Sequence, residues 1–149
     1  MTHEAILSKL PYGPSFLFVD ELLRVNDREA MGRFTFAGDM DFYQGHFKEL
    51  PVTPGVILTE CCAQIGLVCL GIFLLGTGGE DYGNLQIAMS SSEMEFLLPV
   101  YPNEAVTVAS EKIYFRFGKL KCSVKMHNAK GKLVCKGILS GMIKTDGNG

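Results

Sequence analysis

Residues 44 to 66 read QGHFKELPVTPGVILTECCAQIG, and in this apolar stretch an imidazole, His46, lies fourteen positions ahead of a carboxyl, Glu60. By residue type, His46 suits the role of a base near pH 7. Glu60 is set among apolar neighbours that disfavour its charged form, so its pKa is expected to be raised and the group to remain protonated as a general acid. Val56, Glu60 and Gln64 recur every four residues. On a helix they share one stripe, with the Gln64 amide beside the Glu60 carboxyl. Gly55 and Val56 stand at the start of that helix, where the first N–H groups lack intrahelical partners and point outward with the positive end of the dipole. A carbonyl oxygen becoming negative fits there, and the missing side chain of Gly55 lets it approach the backbone.

A base, an acid and oxyanion donors within one segment suit proton abstraction α to a thioester carbonyl with departure of a β-hydroxyl. That chemistry requires no metal and no organic cofactor. Spacing alone leaves plainer readings open: a histidine capping a turn next to Phe47 and a glutamate bridging subunits, while Gln64, structural or catalytic, would orient Glu60 either way. Cys61, Cys62, Cys69, Cys122 and Cys135 have no C-x-x-C spacing and read as buried thiols in a reducing compartment, and Cys61, Cys62 and Cys69, with no neighbouring histidine at ligand spacing, read as small core residues.

The elements that hold these residues follow from local pattern. Thr53-Pro54-Gly55 reads as a helix start, with Thr53 as N-cap and Pro54 at the first helical position, and the helix is expected to run to about Leu75, before GTGGEDYG. It is apolar on nearly every side, so it must be wrapped. The run is long enough to be weighed as a membrane span, but Glu60 and Gln64 interrupt it, and a helix buried in a soluble core is expected instead. SFLFVDELLRV and EAMGRFTFA read as two strands joined at Asn26-Asp27. AVTVASEKIYFRF, KLKCSVKMH and KLVCKGILSGMI read as an antiparallel meander, turning at Gly118 and at residues 128–131. In the middle strand Leu120, Cys122, Val124 and Met126 alternate with Lys121, Ser123 and Lys125, giving one core face and one wet face. One long buried helix with strands before and after it describes an α+β roll, the hotdog arrangement, in which a curved antiparallel sheet wraps its helix.

At 149 residues the chain has the length of a single domain spanning residues 1–149, with a frayed tail expected from about residue 145. A hydrophobic content of 47% and a mean hydropathy of +0.17 hint at buried interfaces between copies. The formal net charge of -2, without a basic run, excludes a nucleic-acid partner. MTHEAILSKLPYGP has no signal-peptide pattern, so a cytoplasmic location is expected.

FYQGHF followed by PVTPGV, Glu60 and Gln64 resembles the FabZ-type 3-hydroxyacyl-acyl-carrier-protein dehydratases, whose motif is Gly-His-Phe-Pro-x-x-Pro-Val-Met-Pro-Gly-Val with a Glu on the next helix. Gly45, His46, Phe47, Pro51, Val52, Pro54, Gly55 and Val56 match that motif, Glu60 stands at the family's spacing, and Ala63-Gln64 match its Ala-Gln. LPYGPSFLFVD and EFLLPVYPNEAVTV are similar to two further family segments. Glu60 instead of Asp, and Gly45 instead of Cys before the histidine, resemble this branch and not the FabA dehydratase-isomerases, so double-bond isomerisation is not expected.

The resemblance implies dehydration of 3-hydroxyacyl thioesters on an acyl carrier protein, by a hotdog homodimer that is often a trimer of dimers. Each site would take His46 from one chain and Glu60 from the other, with the acyl chain in an apolar tunnel. The departures are Lys48-Glu49-Leu50 for Pro-Gly-His, Thr53 for Met, Tyr12-Gly13-Pro14-Ser15 for His-Arg-Tyr-Pro, and Leu97 and Leu98 where basic residues usually meet the carrier. They raise a specialised polyketide-like or polyene pathway as an alternative to fatty acid synthesis itself. A hotdog thioesterase and a non-catalytic acyl-binding partner subunit are the alternatives.

Overall fold

The structure is a computed structural model, and it describes residues 1–45, 50–77 and 85–145. After a short helix at His3–Ser8, strands β1 (Glu21–Val25) and β2 (Glu29–Thr35) form a hairpin. Asn26 closes it, its side-chain oxygen accepting from the N–H groups of Arg28 and Glu29 at 2.9 and 3.1 Å. This is the turn expected at Asn26-Asp27. Of SFLFVDELLRV, however, only the second half is strand: Pro14–Phe16 forms a 3-10 turn, because proline fixes its own φ and suits the opening position of such a turn.

Strands β3 (Leu85–Phe96), β4 (Ala105–Arg116), β5 (Lys119–Asn128) and β6 (Leu133–Thr145) complete one antiparallel sheet in the order β1-β2-β4-β5-β6-β3. The meander of β4, β5 and β6 stands where the sequence puts it. In β5, Leu120, Cys122, Val124 and Met126 are all buried, as the alternation requires. The last strand continues past the predicted end at Ile143 to Thr145, and residues 146–149, where the frayed tail was expected, lie outside the described residues.

The central helix begins at Gly55, passes through a π-helical segment at Gln64–Cys69, and resumes over Leu70–Thr77. It is long and apolar enough to cross a membrane, but 72% of its most apolar window is buried inside the protein. Wrapping by the sheet replaces lipid as its apolar surroundings. Helix and sheet approach closely at glycine: a Cβ on Gly66 would lie 2.9 Å from both the Ser110 Cβ and the Val124 Cγ1.

The predicted helix cap is corrected. Pro54 occupies the N-cap and Gly55 is the first helical residue, one position later than expected. The Thr53 side chain does not cap, because its hydroxyl is bonded to the Tyr43 hydroxyl at 2.6 Å in a buried pair. All five cysteines are buried free thiols, as their distribution predicted.

Candidate active site

Three segments converge at the start of the central helix. The first is the approach to it. The Thr53 N–H donates to the Val100 carbonyl at 2.8 Å, and with the Tyr43 to Thr53 hydroxyl bond this ties residues 52–54 to the loop after β3 and to the helical turn Phe42–Gly45. The second is the helix itself, whose opening bonds run from the N–H groups of Ile57 and Leu58 to the Pro54 carbonyl. Gly55 and Val56 stand ahead of those bonds at the positive end of the dipole. The third is the chain before β1. There Phe18, Phe34 and Phe36 pack edge to face, with ring centroids 5.7 Å apart for Phe18–Phe34 and 4.9 Å for Phe34–Phe36. That aromatic cluster fixes the backbone of residues 16–18 against the helix.

Glu60 projects from the first part of the helix and is half-buried. Burial raises its pKa above the ordinary carboxyl value, and the hydrogen bond from Gln64 partly offsets the rise. Gln64 Nε2 donates to Glu60 Oε2 at 3.0 Å, the contact that four-residue spacing predicted. Gln64 itself is fully buried, whereas Val56, one helical step the other way, is 75% exposed. The stripe therefore runs from solvent at Val56, through the partly sheltered acid, to the core at Gln64.

His46 and Phe47 lie outside the described residues. What is described is their anchor, the turn Phe42–Gly45, which ends on Gly45 and holds Tyr43 in the core. Beside Gly55 the space that a side chain would fill is closed by the protein's own Phe96, whose ring atoms lie 3.2 to 3.4 Å from where a Cβ would stand. The absent side chain thus admits Phe96, where the sequence led one to expect room for a ligand. Phe96, Leu97, Val52 and Leu58 are among the residues lining a cavity of about 280 Å³ next to Gly55, and Phe96, Leu97 and Leu98 are exposed. Among the described residues no cluster of three or more metal-ligating side chains occurs.

Tyr12 was legible in the sequence only as a departure from a motif. It is half-buried against the core with its ring centroid 6.3 Å from that of Phe16, and burial together with the charge of Glu60 pushes its phenol up. It therefore stays neutral at any pH near 7 and belongs to the surroundings of the acid.

A curved antiparallel sheet around one buried helix, with a sheltered carboxyl near the helix start, defines a hotdog-fold protein. Residues 10–139 match the FabA-like domain, and the chain belongs to that family. It is 26% identical over 138 residues to a 3-hydroxyacyl-[acyl-carrier-protein] dehydratase FabZ of Ruminiclostridium cellulolyticum, covering 92% of this chain and 93% of that one. It is 33% identical over 122 residues to the FabZ of Herpetosiphon aurantiacus, covering 80% and 83%. Among solved structures, the fold is similar to the dehydratase heterocomplex ApeI:P from Xenorhabdus doucetiae, with a TM-score of 0.79 at 10% identity over 95% of this chain and 91% of that one. A hypothetical thioesterase from Streptococcus pneumoniae, with coenzyme A, matches with a TM-score of 0.61 at 15% identity over 84% and 85%. At such identities these two likenesses concern the fold alone.

Proposed function

We propose that the protein is a 3-hydroxyacyl-[acyl-carrier-protein] dehydratase, converting a 3-hydroxyacyl thioester to the trans-2-enoyl thioester and water. The observation that carries the reading is a half-buried Glu60, raised in pKa and bonded through Oε2 to Gln64, on the helix that Gly55 and Val56 begin. His46 takes the C2 proton as base. The electron pair left on C2 forms the C2–C3 double bond as the C3–O bond breaks, and Glu60 gives its proton to the departing oxygen. The N–H groups of Gly55 and Val56 hold the charge that gathers on the thioester oxygen meanwhile.

The substrate arrives on the phosphopantetheine arm of an acyl carrier protein, and the working unit is a homodimer, or a trimer of dimers, in which the base comes from one chain and the acid from the other. Free buried thiols suit a soluble enzyme of the reducing cytoplasm. Leu97 and Leu98, exposed and departing from the basic residues expected from the resemblance, favour a specialised carrier and pathway over housekeeping fatty acid synthesis.

The test is direct: the protein is incubated with 3-hydroxyacyl carrier thioesters of several chain lengths, and both the enoyl product and free thiol are followed. Enoyl product without thiol release is expected, and Glu60→Gln or His46→Ala should lower kcat by about 10²- to 10⁴-fold. Thiol release in place of the enoyl product would assign a thioesterase, and a folded oligomer inert on every chain length would leave an acyl-binding subunit.

A further inference from the structure

Every polar atom of the Gln64 side chain is committed to a named neighbour. Oε1 accepts from the Phe18 N–H at 2.7 Å, and Nε2 donates to the Phe16 carbonyl at 2.9 Å as well as to Glu60 Oε2 at 3.0 Å. A glutamine amide has one acceptor oxygen and two N–H donors. Here the backbone decides which end is which. Turning the amide over would face its NH2 with the Phe18 N–H and its oxygen with the Phe16 carbonyl, replacing two bonds by two repulsions around a side chain that is itself fully buried. Residues 16–18 therefore hold Gln64 as a donor toward Glu60 and leave it no second orientation.

We propose that Gln64 is a positioning residue that decides which oxygen of Glu60 carries the transferable proton: Oε2 stays an acceptor, and Oε1 bears the hydrogen given to the leaving hydroxyl. The carbonyl oxygen of a neutral carboxyl accepts an N–H better than its hydroxyl oxygen does, so with Gln64 donating to Oε2 neutral Glu60 keeps its proton on the other oxygen. In the step itself, the Oε1–H bond breaks as the new O–H bond to the departing oxygen forms and water leaves. The carboxylate that remains keeps its Gln64 bond, which becomes charge-assisted and stronger at the moment the anion appears. The donor is thus worth more after proton transfer than before it, the condition for lowering the barrier and not merely the ground state.

The register deepens the reading of Glu60 as general acid and rests on it for the kinetic arm of the test, but not for the spectroscopic arm. Among the described residues, the titratable groups whose shifts include the charge of Glu60 are Tyr12, from the segment before β1, and Cys61, from the helix. Both are pushed up chiefly by burial and stay neutral around pH 7, so neither titrates together with the acid.

The experiment compares wild type with Gln64→Met, folding being checked by circular dichroism. Infrared difference spectra across the Glu60 titration, with Glu60→Gln to assign the band, report the C=O stretch of the protonated acid. That C=O is Oε2, so loss of its N–H donor should move the band to higher frequency. In parallel, kcat should fall about 100-fold, as expected for a mispositioned reacting group. The alkaline limb of the kcat profile should move to higher pH, because the carboxylate has lost a stabilising donor. A band left at the wild-type frequency together with an unmoved alkaline limb overturns the proposal. Wild type without turnover would reject the dehydratase reading alone, and the band would still decide the register. Should Gln64→Met not fold, nitrogen-labelled wild type answers instead: one Gln64 amide proton should move downfield as Glu60 ionises, and two that stay in place overturn the register.

Discussion

At Glu60 two effects of the surroundings oppose each other, and burial prevails over the Gln64 hydrogen bond. A carboxyl whose pKa is raised on folding holds its proton over a range of pH in which the unfolded chain has already released it. Across that range the folded state binds more protons than the unfolded state, so stability falls as pH rises. The contribution is absent below the unfolded value, near pH 4.3, and is complete above the folded value. Glu60→Gln removes the titration while keeping the shape. Its melting temperature should therefore gain on wild type as pH rises from about 4 through the folded pKa, and then run parallel. Thermal melts at several pH values measure this, and a constant offset from pH 3 to 8 would mean that the carboxyl is not raised.

At the scale of elements, the contact between central helix and sheet is set by side chains that are missing. Replacing glycine by alanine inside a helix ordinarily stabilises by up to about 1 kcal/mol. Gly66→Ala should do the reverse, because its Cβ would come within 2.9 Å of the Ser110 Cβ and the Val124 Cγ1, neither of them the end of a flexible chain. A loss of about 1 to 3 kcal/mol in chemical denaturation is expected, and a gain would show that helix and sheet can part without cost. Elements with a period and a buried face were legible in the sequence: the apolar run of the helix, the alternation of β5, the turn at Asn26. Strand β3 was not, since it is an edge strand exposed over most of its length, and its short alternation of Leu85, Ile87 and Met89 stops at Ser90, Ser91 and Ser92, where the pairing with β6 shifts register. The cap was misplaced by one residue because the Thr53 hydroxyl answers to Tyr43, ten positions earlier in the chain. In the site, the contact between Glu60 and Gln64 was readable from four-residue spacing, whereas the backbone partners of Gln64 at Phe16 and Phe18 lie 48 and 46 positions away and follow only from the tertiary fold.

For the whole molecule, the sheet ends on one side in β3, twelve residues long and exposed almost throughout, with Met89 and Phe96 in the open. A long exposed edge of this kind, although a bulge interrupts it between Met89 and Ser91, invites pairing with another chain, and natural proteins that stay monomeric blunt such edges with lysine, proline, bulges or a covering segment. Here the partner that fits the proposed mechanism is a second copy, since one chain is to supply His46 and the other Glu60. Met89→Lys tests both halves of that statement. Met89 is 40% exposed, so the substitution should leave the fold of a single chain intact by circular dichroism while placing a charge in the pairing edge. Sedimentation should show the mass moving toward that of one chain, and dehydration should fall in step with the fraction of monomer. Activity that persists in a sedimenting monomer would mean that base and acid meet within one chain, and the shared site would have to be abandoned even if the reaction stands.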